Sequence, residues 1–167
     1  GYAATDCKGG GSCDTRGKGF YVIDLSSGSI LWTYTHSGPD SVVDANMDYS
    51  LPGPPAVIDS DNDGFVDTAY IGDLGGNVWR FKFCLGSASG CSTSNWSGGM
   101  LYESSSGNIR PIFTMPTVAK DDLGNTWVYF GTGDMADPTA ANAQEKIYAV
   151  KDNDRTSTYT ISDLDNI

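Results

Sequence analysis

Positive charge is scarce in this sequence. Ten lysines and arginines stand against 21 aspartates and glutamates, with a single histidine, His36. A phosphate backbone or an anionic lipid surface would repel the resulting net charge of −11, which argues against nucleic acid and membrane as partners and suits cations. No run of about 18 apolar residues occurs, so no helix here spans a bilayer. No apolar stripe of helical period is sustained over three turns either, and the best helix candidate, PTAANAQEK at 138–146, reads as a loop with one turn. The opening residues GYAATDCKGGG lack the charged start and apolar stretch of a signal peptide. We therefore expect either a removed signal or an internal piece of a longer chain.

Cysteine is sparse, and its spacing excludes the usual zinc and redox motifs. The four cysteines form two local pairs, Cys7 with Cys13 and Cys84 with Cys91, neither spaced C-x-x-C. Four cysteines allow three connectivities, and the sequence alone does not choose among them. Each pair brackets a Gly/Ser-rich segment, KGGGS or LGSASG, so two local disulfides and an exported protein are the expectation. The alternative is four reduced, buried thiols, although polar glycine-rich surroundings suit those least.

What the sequence has is short apolar runs between scattered glycines. The length of 167 residues allows one domain with a real core, and 39% hydrophobic with 11% aromatic content argues for folded structure. GFYVIDL (19–25), SILWTYT (29–35), PPAVID (54–59), DTAYIGD (67–73), NVWRFKF (77–83), PTVAKD (116–121), TWVYFGTG (126–133) and KIYAVKD (146–152) are rich in β-branched and aromatic residues. Gly, Asn, Asp and Ser bound them, as expected of short β-strands joined by tight turns. The units repeat, with Pro55 and Pro116 marking a period of about 60 residues. The fold class is all-β, with antiparallel units that read as propeller blades. A complete ring takes about four to eight blades, and this chain holds about three. Residues 1–167 are thus one β-propeller-type domain or a fragment of a larger or modified one.

The stretch DSDNDGFVD, residues 59–67, packs four carboxylates around one glycine. Such charges repel unless something neutralises them. Asp59, Asp61 and Asp63 occupy positions 1, 3 and 5 of a Ca2+ loop, Gly64 stands at 6 where the chain turns sharply, Phe65 offers its carbonyl at 7, and Asp67 stands at 9. Alternation by two aims successive side chains at one centre, and hard oxygens suit a hard cation. Position 12 is Tyr70 within a strand, not the bidentate Glu of the helix–loop–helix version, so Asp67 must close a nine-residue site set between strands. Asn62 should point outward and favour the turn. Mg2+ fits less well because it prefers few protein ligands and retained waters. The bland alternative is an acidic β-turn that binds nothing. KDDLGN (120–125) and KDNDR (151–155) lack the pattern and read as turns, and Asp134 and Asp137 read as a solvated loop.

Residues 53–83, GPPAVIDSDNDGFVDTAYIGDLGGNVWRFKF, and 115–134, MPTVAKDDLGNTWVYFGTGD, closely resemble the C-terminal β-propeller domain of the PilC/PilY proteins of type IV pili. Residues 19–34 resemble blades of the broader quinoprotein-like propeller class, and the likeness covers roughly residues 19–152. The resemblance implies a surface-exposed propeller with an EF-hand-like calcium loop, located at or near the pilus tip. It implies roles in pilus assembly, opposition to retraction and adhesion, with pilus subunits or minor pilins and a surface or host receptor as partners. Its ligand positions fall on Asp59, Asp61, Asp63, Phe65 (carbonyl) and Asp67. The family domain is several times longer than this chain, and the integrin-binding tripeptide of some members has no counterpart here, so receptor binding is not carried over.

The leading expectation is a non-enzymatic, extracellular module in which bound Ca2+ holds one loop in shape. A quinone-dependent dehydrogenase is the competing reading, since that class also combines such blades with calcium; its cofactor, however, needs a complete ring. A lectin-like module is a third, with Trp79, Trp96 or Trp127 stacking on sugars if exposed, although strand tryptophans more often belong to the core. His36, in TYTHSGPD with no G-x-S-x-G near it, reads as a loop or cap residue and not as a general base. No catalytic residue and no organic cofactor are expected.

Overall fold

The structure is a computed structural model describing residues 16–38, 41–84, 91–104, 109–135, 138, 145–154 and 156–164. It is built from three sheets in chain order. The first holds β1 (Gly19–Ile23), β2 (Ile30–Thr35) and the two-residue β3 (Val42–Val43), with β1 and β2 antiparallel and β3 parallel to β2. The second is a four-stranded antiparallel meander of β4 (Ala56–Ile58), β5 (Thr68–Gly72), β6 (Val78–Lys82) and β7 (Ser97–Tyr102). The third is β8 (Thr117–Lys120), β9 (Thr126–Gly131) and β10 (Ile147–Asp152), also antiparallel. Two 3-10 turns, Thr93–Asn95 and Ile161–Asp163, are the remaining elements, and no α-helix occurs among the described residues. Most of the candidate helix at 138–146, and Cys7 with Cys13, lie outside those residues.

Every strand expected from the sequence forms, and the all-β expectation holds. Packing explains the residue choice. The second sheet is covered on both faces, so β5 is buried along its whole length and reads as a continuous apolar run instead of an alternation. One face joins the first sheet through Trp32, Tyr34, Met47, Ala69, Ile71, Trp79 and Phe81, with the Phe20 and Phe81 rings stacked 4.2 Å apart. The other joins the third sheet through Tyr70, Val78, Tyr102, Val128, Phe130 and Val150.

A related aspartate-led hairpin turn recurs in each sheet, one residue longer in the first than in the other two. The backbone N–H of Asp24, Asp73 and Asp121 donates to the carbonyl of Ser29, Asn77 and Asn125, and each aspartate carbonyl accepts from Gly28, Gly76 or Gly124. Those glycines have φ of 75°, 87° and 80°, the left-handed region where a Cβ would be strained. The Cys84–Cys91 disulfide closes the β6–β7 connection, with Trp96 Nε1 2.9 Å from Cys84 Sγ. The final described segment runs back to the outer edge of the second sheet. Tyr159 N donates to Leu101 O and Glu103 N to Tyr159 O, each at 2.8 Å, so this edge is paired and not open.

Candidate metal site

The acidic stretch forms the loop between β4 and β5. Asp67 N donates to Ile58 O at 3.0 Å and pins the two strands together beneath it. Above that base the aspartates organise the backbone themselves. Asp59 Oδ1 accepts from the N–H of Asn62 (2.6 Å) and Asp63 (3.2 Å), and its Oδ2 from Gly64 N (2.8 Å). Asp61 Oδ1 accepts from Asp63 N at 3.2 Å, and Asp63 Oδ1 from Phe65 N at 2.9 Å. The reversal falls at Asn62 (φ 64°), which is exposed as expected, and Gly64 (φ 94°). Asn and Gly are the residues that adopt such angles most readily.

Carboxylate oxygens of Asp59, Asp61 and Asp67 lie within 4.8 Å of one another. Asp67 is buried, with 2% exposure. Its Oδ2 accepts from both the N–H and the hydroxyl of Ser60 at 2.9 Å, and its Oδ1 from Thr68 Oγ1 at 2.7 Å. Three of the four expected carboxylates are therefore brought together. Asp63 is not among them: it lies exposed within the reversal, between Asn62 and Gly64. The Phe65 side chain is 63% exposed. Partial desolvation raises the Asp59 pKa, and the N–H donors of Gly64, Asn62 and Asp63 more than offset this, leaving the carboxyl below its ordinary value. A trio of hard carboxylate oxygens, one already buried and oriented, fits a hard divalent cation. Sequence reasoning missed Ser60, whose N–H and hydroxyl orient Asp67, and Lys120, whose Nζ reaches Ser60 O at 2.7 Å. The serine at loop position 2 was a visible signal for the first. A contact across 60 residues left none for the second.

The remaining candidates resolve into structure. His36 is partly exposed, its Nδ1 3.3 Å from Asp48 Oδ1. Trp79 is fully buried, Trp96 packs against Phe83, and Trp127 donates Nε1 to Asp121 Oδ2 at 3.0 Å. Asp121 caps its own turn, and Asp152 and Asp154 pair with Arg80 and Lys82. Asp137 and Arg155 lie outside the described residues.

The sequence profile of a family described as the PilY1 beta-propeller domain matches residues 1–165. A type IV pilus biogenesis factor PilY1 homolog of Xylella fastidiosa is 35% identical over 109 residues, 63% of this chain and 7% of the relative. The type IV pilus biogenesis factor PilY1 of Pseudomonas aeruginosa is 35% identical over 65 residues, 39% of this chain and 5% of that protein. The crystal structure of the P. aeruginosa PilY1 C-terminal domain superposes with a TM-score of 0.66 at 25% identity, covering 86% of this chain and 34% of that one. The chain thus spans less than a tenth of the length of these curated relatives.

Proposed function

The chain belongs to the PilY1 β-propeller domain family, and from that premise we propose that it is a calcium-binding, non-enzymatic part of a type IV pilus biogenesis factor. Asp59, Asp61 and Asp67 would hold the ion, with Asp63 and the Phe65 carbonyl completing the shell as the loop tightens. When bound, Ca2+ neutralises the clustered carboxylates and fixes the loop in one shape. The chain's own residues prepare this: Ser60 orients Asp67, and backbone N–H groups hold Asp59 ionised. The convergence of three carboxylate oxygens within 4.8 Å carries the reading. The fixed loop would support pilus assembly, control of retraction and surface attachment, at the cell surface or pilus tip. Pilus subunits or minor pilins are the partners this reading implies.

Calorimetric titration and thermal melting test the ion. Calcium at about a hundred times its Kd contributes about 2.7 kcal/mol. In a chain of this size that is a rise in Tm of about 5–10 °C, which EDTA should reverse. Asp61→Asn, at an exposed position, should melt like the parent without calcium and lose most of that rise. A variant as calcium-responsive as the parent would sink the assignment.

A further inference from the structure

Resting on the calcium reading above, we propose that Lys120 is a positioning residue that couples the loop to the neighbouring sheet, so that a cation at residues 59–67 tightens the junction between the second and third sheets. Lys120 is the last residue of β8 and pairs with Thr126 of β9. Its Nζ leaves that sheet and donates to Ser60 O in the β4–β5 loop at 2.7 Å. Ser60 lies between Asp59 and Asp61, and its N–H and hydroxyl both donate to Asp67 Oδ2. One residue therefore touches the converging carboxylates on one side and the third sheet on the other. Among the described residues Lys120 takes part in no ion pair, so its ammonium serves this carbonyl and not a carboxylate.

The coupling follows from the cost of order. Immobilising a long exposed lysine loses rotamer entropy comparable with what one hydrogen bond returns, so the bond contributes most when its acceptor is already held. A cation gripping Asp59 and Asp61 holds the Ser60 carbonyl between them. By reciprocity, whatever the ion adds to the junction, the docked junction adds to ion affinity.

Hydrogen exchange on the full chain, with and without calcium chloride, tests this in the parent, Lys120→Met and Lys120→Arg. In the parent, calcium should slow exchange in the loop and, by about fivefold or more, in residues 117–131. Lys120→Met should keep the loop's gain and lose the gain at 117–131, and Lys120→Arg should restore it. If Lys120→Met speeds exchange at 117–131 equally with and without calcium, the lysine is merely structural and the inference falls. If calcium protects the parent's loop but not 117–131, the inference falls while the calcium reading stands. If calcium protects neither, both fall.

Discussion

Two aspartates at the same position of two like turns, Asp73 after β5 and Asp121 after β8, illustrate how burial decides a residue's chemistry. Asp73 Oδ1 accepts from Gly75 N and Asn77 N, and its Oδ2 from Asn77 Nδ2 and Trp79 Nε1. Asp121 receives the equivalent set from Leu123, Asn125 and Trp127. Asp73 is wholly buried, and desolvation pushes its pKa up to about 6 despite those donors. Asp121 lies at the solvent edge, where the Asn125 and Trp127 side-chain donors, with backbone help, pull its pKa well down. The two should therefore act oppositely on stability. Asp73 binds its proton more tightly folded than unfolded, so its contribution is greatest below pH 3.8 and declines as pH rises through about 6. Asp121's contribution is present above its unfolded pKa of 3.8 and is lost as pH falls through the depressed value. Carboxyl-carbon NMR should give an Asp73 midpoint near pH 6 and an Asp121 midpoint below 3.8; coincident midpoints would refute the burial argument.

At the scale of elements, what the sequence made readable were strands whose side chains advertise them. Alternation and aromatic content marked β1, β2 and β8–β10, and the 1, 3, 5, 9 spacing marked the loop because side-chain direction alternates with a period of two. The β7 strand is absent from the runs the sequence offered, since SGGMLY carries two adjacent glycines, yet Gly98 is where two rings press against the backbone. A Cβ there would lie 2.6 Å from Phe81 Cδ1 and 2.8 Å from Tyr34 Cδ2, whereas one on Gly99 would meet nothing within 4 Å. Gly98→Ala should thus cost about 1–3 kcal/mol by overpacking, while Gly99→Ala should be neutral or stabilise by up to about 1 kcal/mol. Denaturant unfolding of the pair would check this, and equal effects would contradict it. Asp63 shows where spacing stops: the 1, 3, 5, 9 pattern selects it, while the structure gives its Oδ1 to Phe65 N between the turns at Asn62 and Gly64, outside the three converging carboxylates.

At the scale of the whole molecule, the question is what makes three sheets one body. The central sheet is covered on both faces, but the end sheets turn apolar side chains to solvent, with Tyr21 51% and Ile147 87% exposed. Burial alone is thus thin at the margins, and polar links carry part of the second junction. Asp152 of β10, with a side chain 5% exposed, pairs with Arg80 of β6 and accepts from Tyr70 OH of β5 at 2.7 Å. Burial, and then the charge of Asp152, hold that phenol's pKa well above its ordinary value, so it remains a donor. Asp154, 71% exposed, pairs with Lys82 at the rim. These two aspartates, two residues apart, should differ sharply in consequence. Asp152→Asn leaves the largely buried Arg80 guanidinium with only the exposed Asp154 carboxylate, 3.5 Å away, a loss of about 3–5 kcal/mol, or at least about 6 °C in Tm. Asp154→Asn removes a screened surface pair and should cost under about 1 kcal/mol. Scanning calorimetry of both variants decides the matter. Equal falls in Tm would mean that the junction is held by its apolar core alone, and that the Arg80–Asp152–Tyr70 cluster merely decorates it.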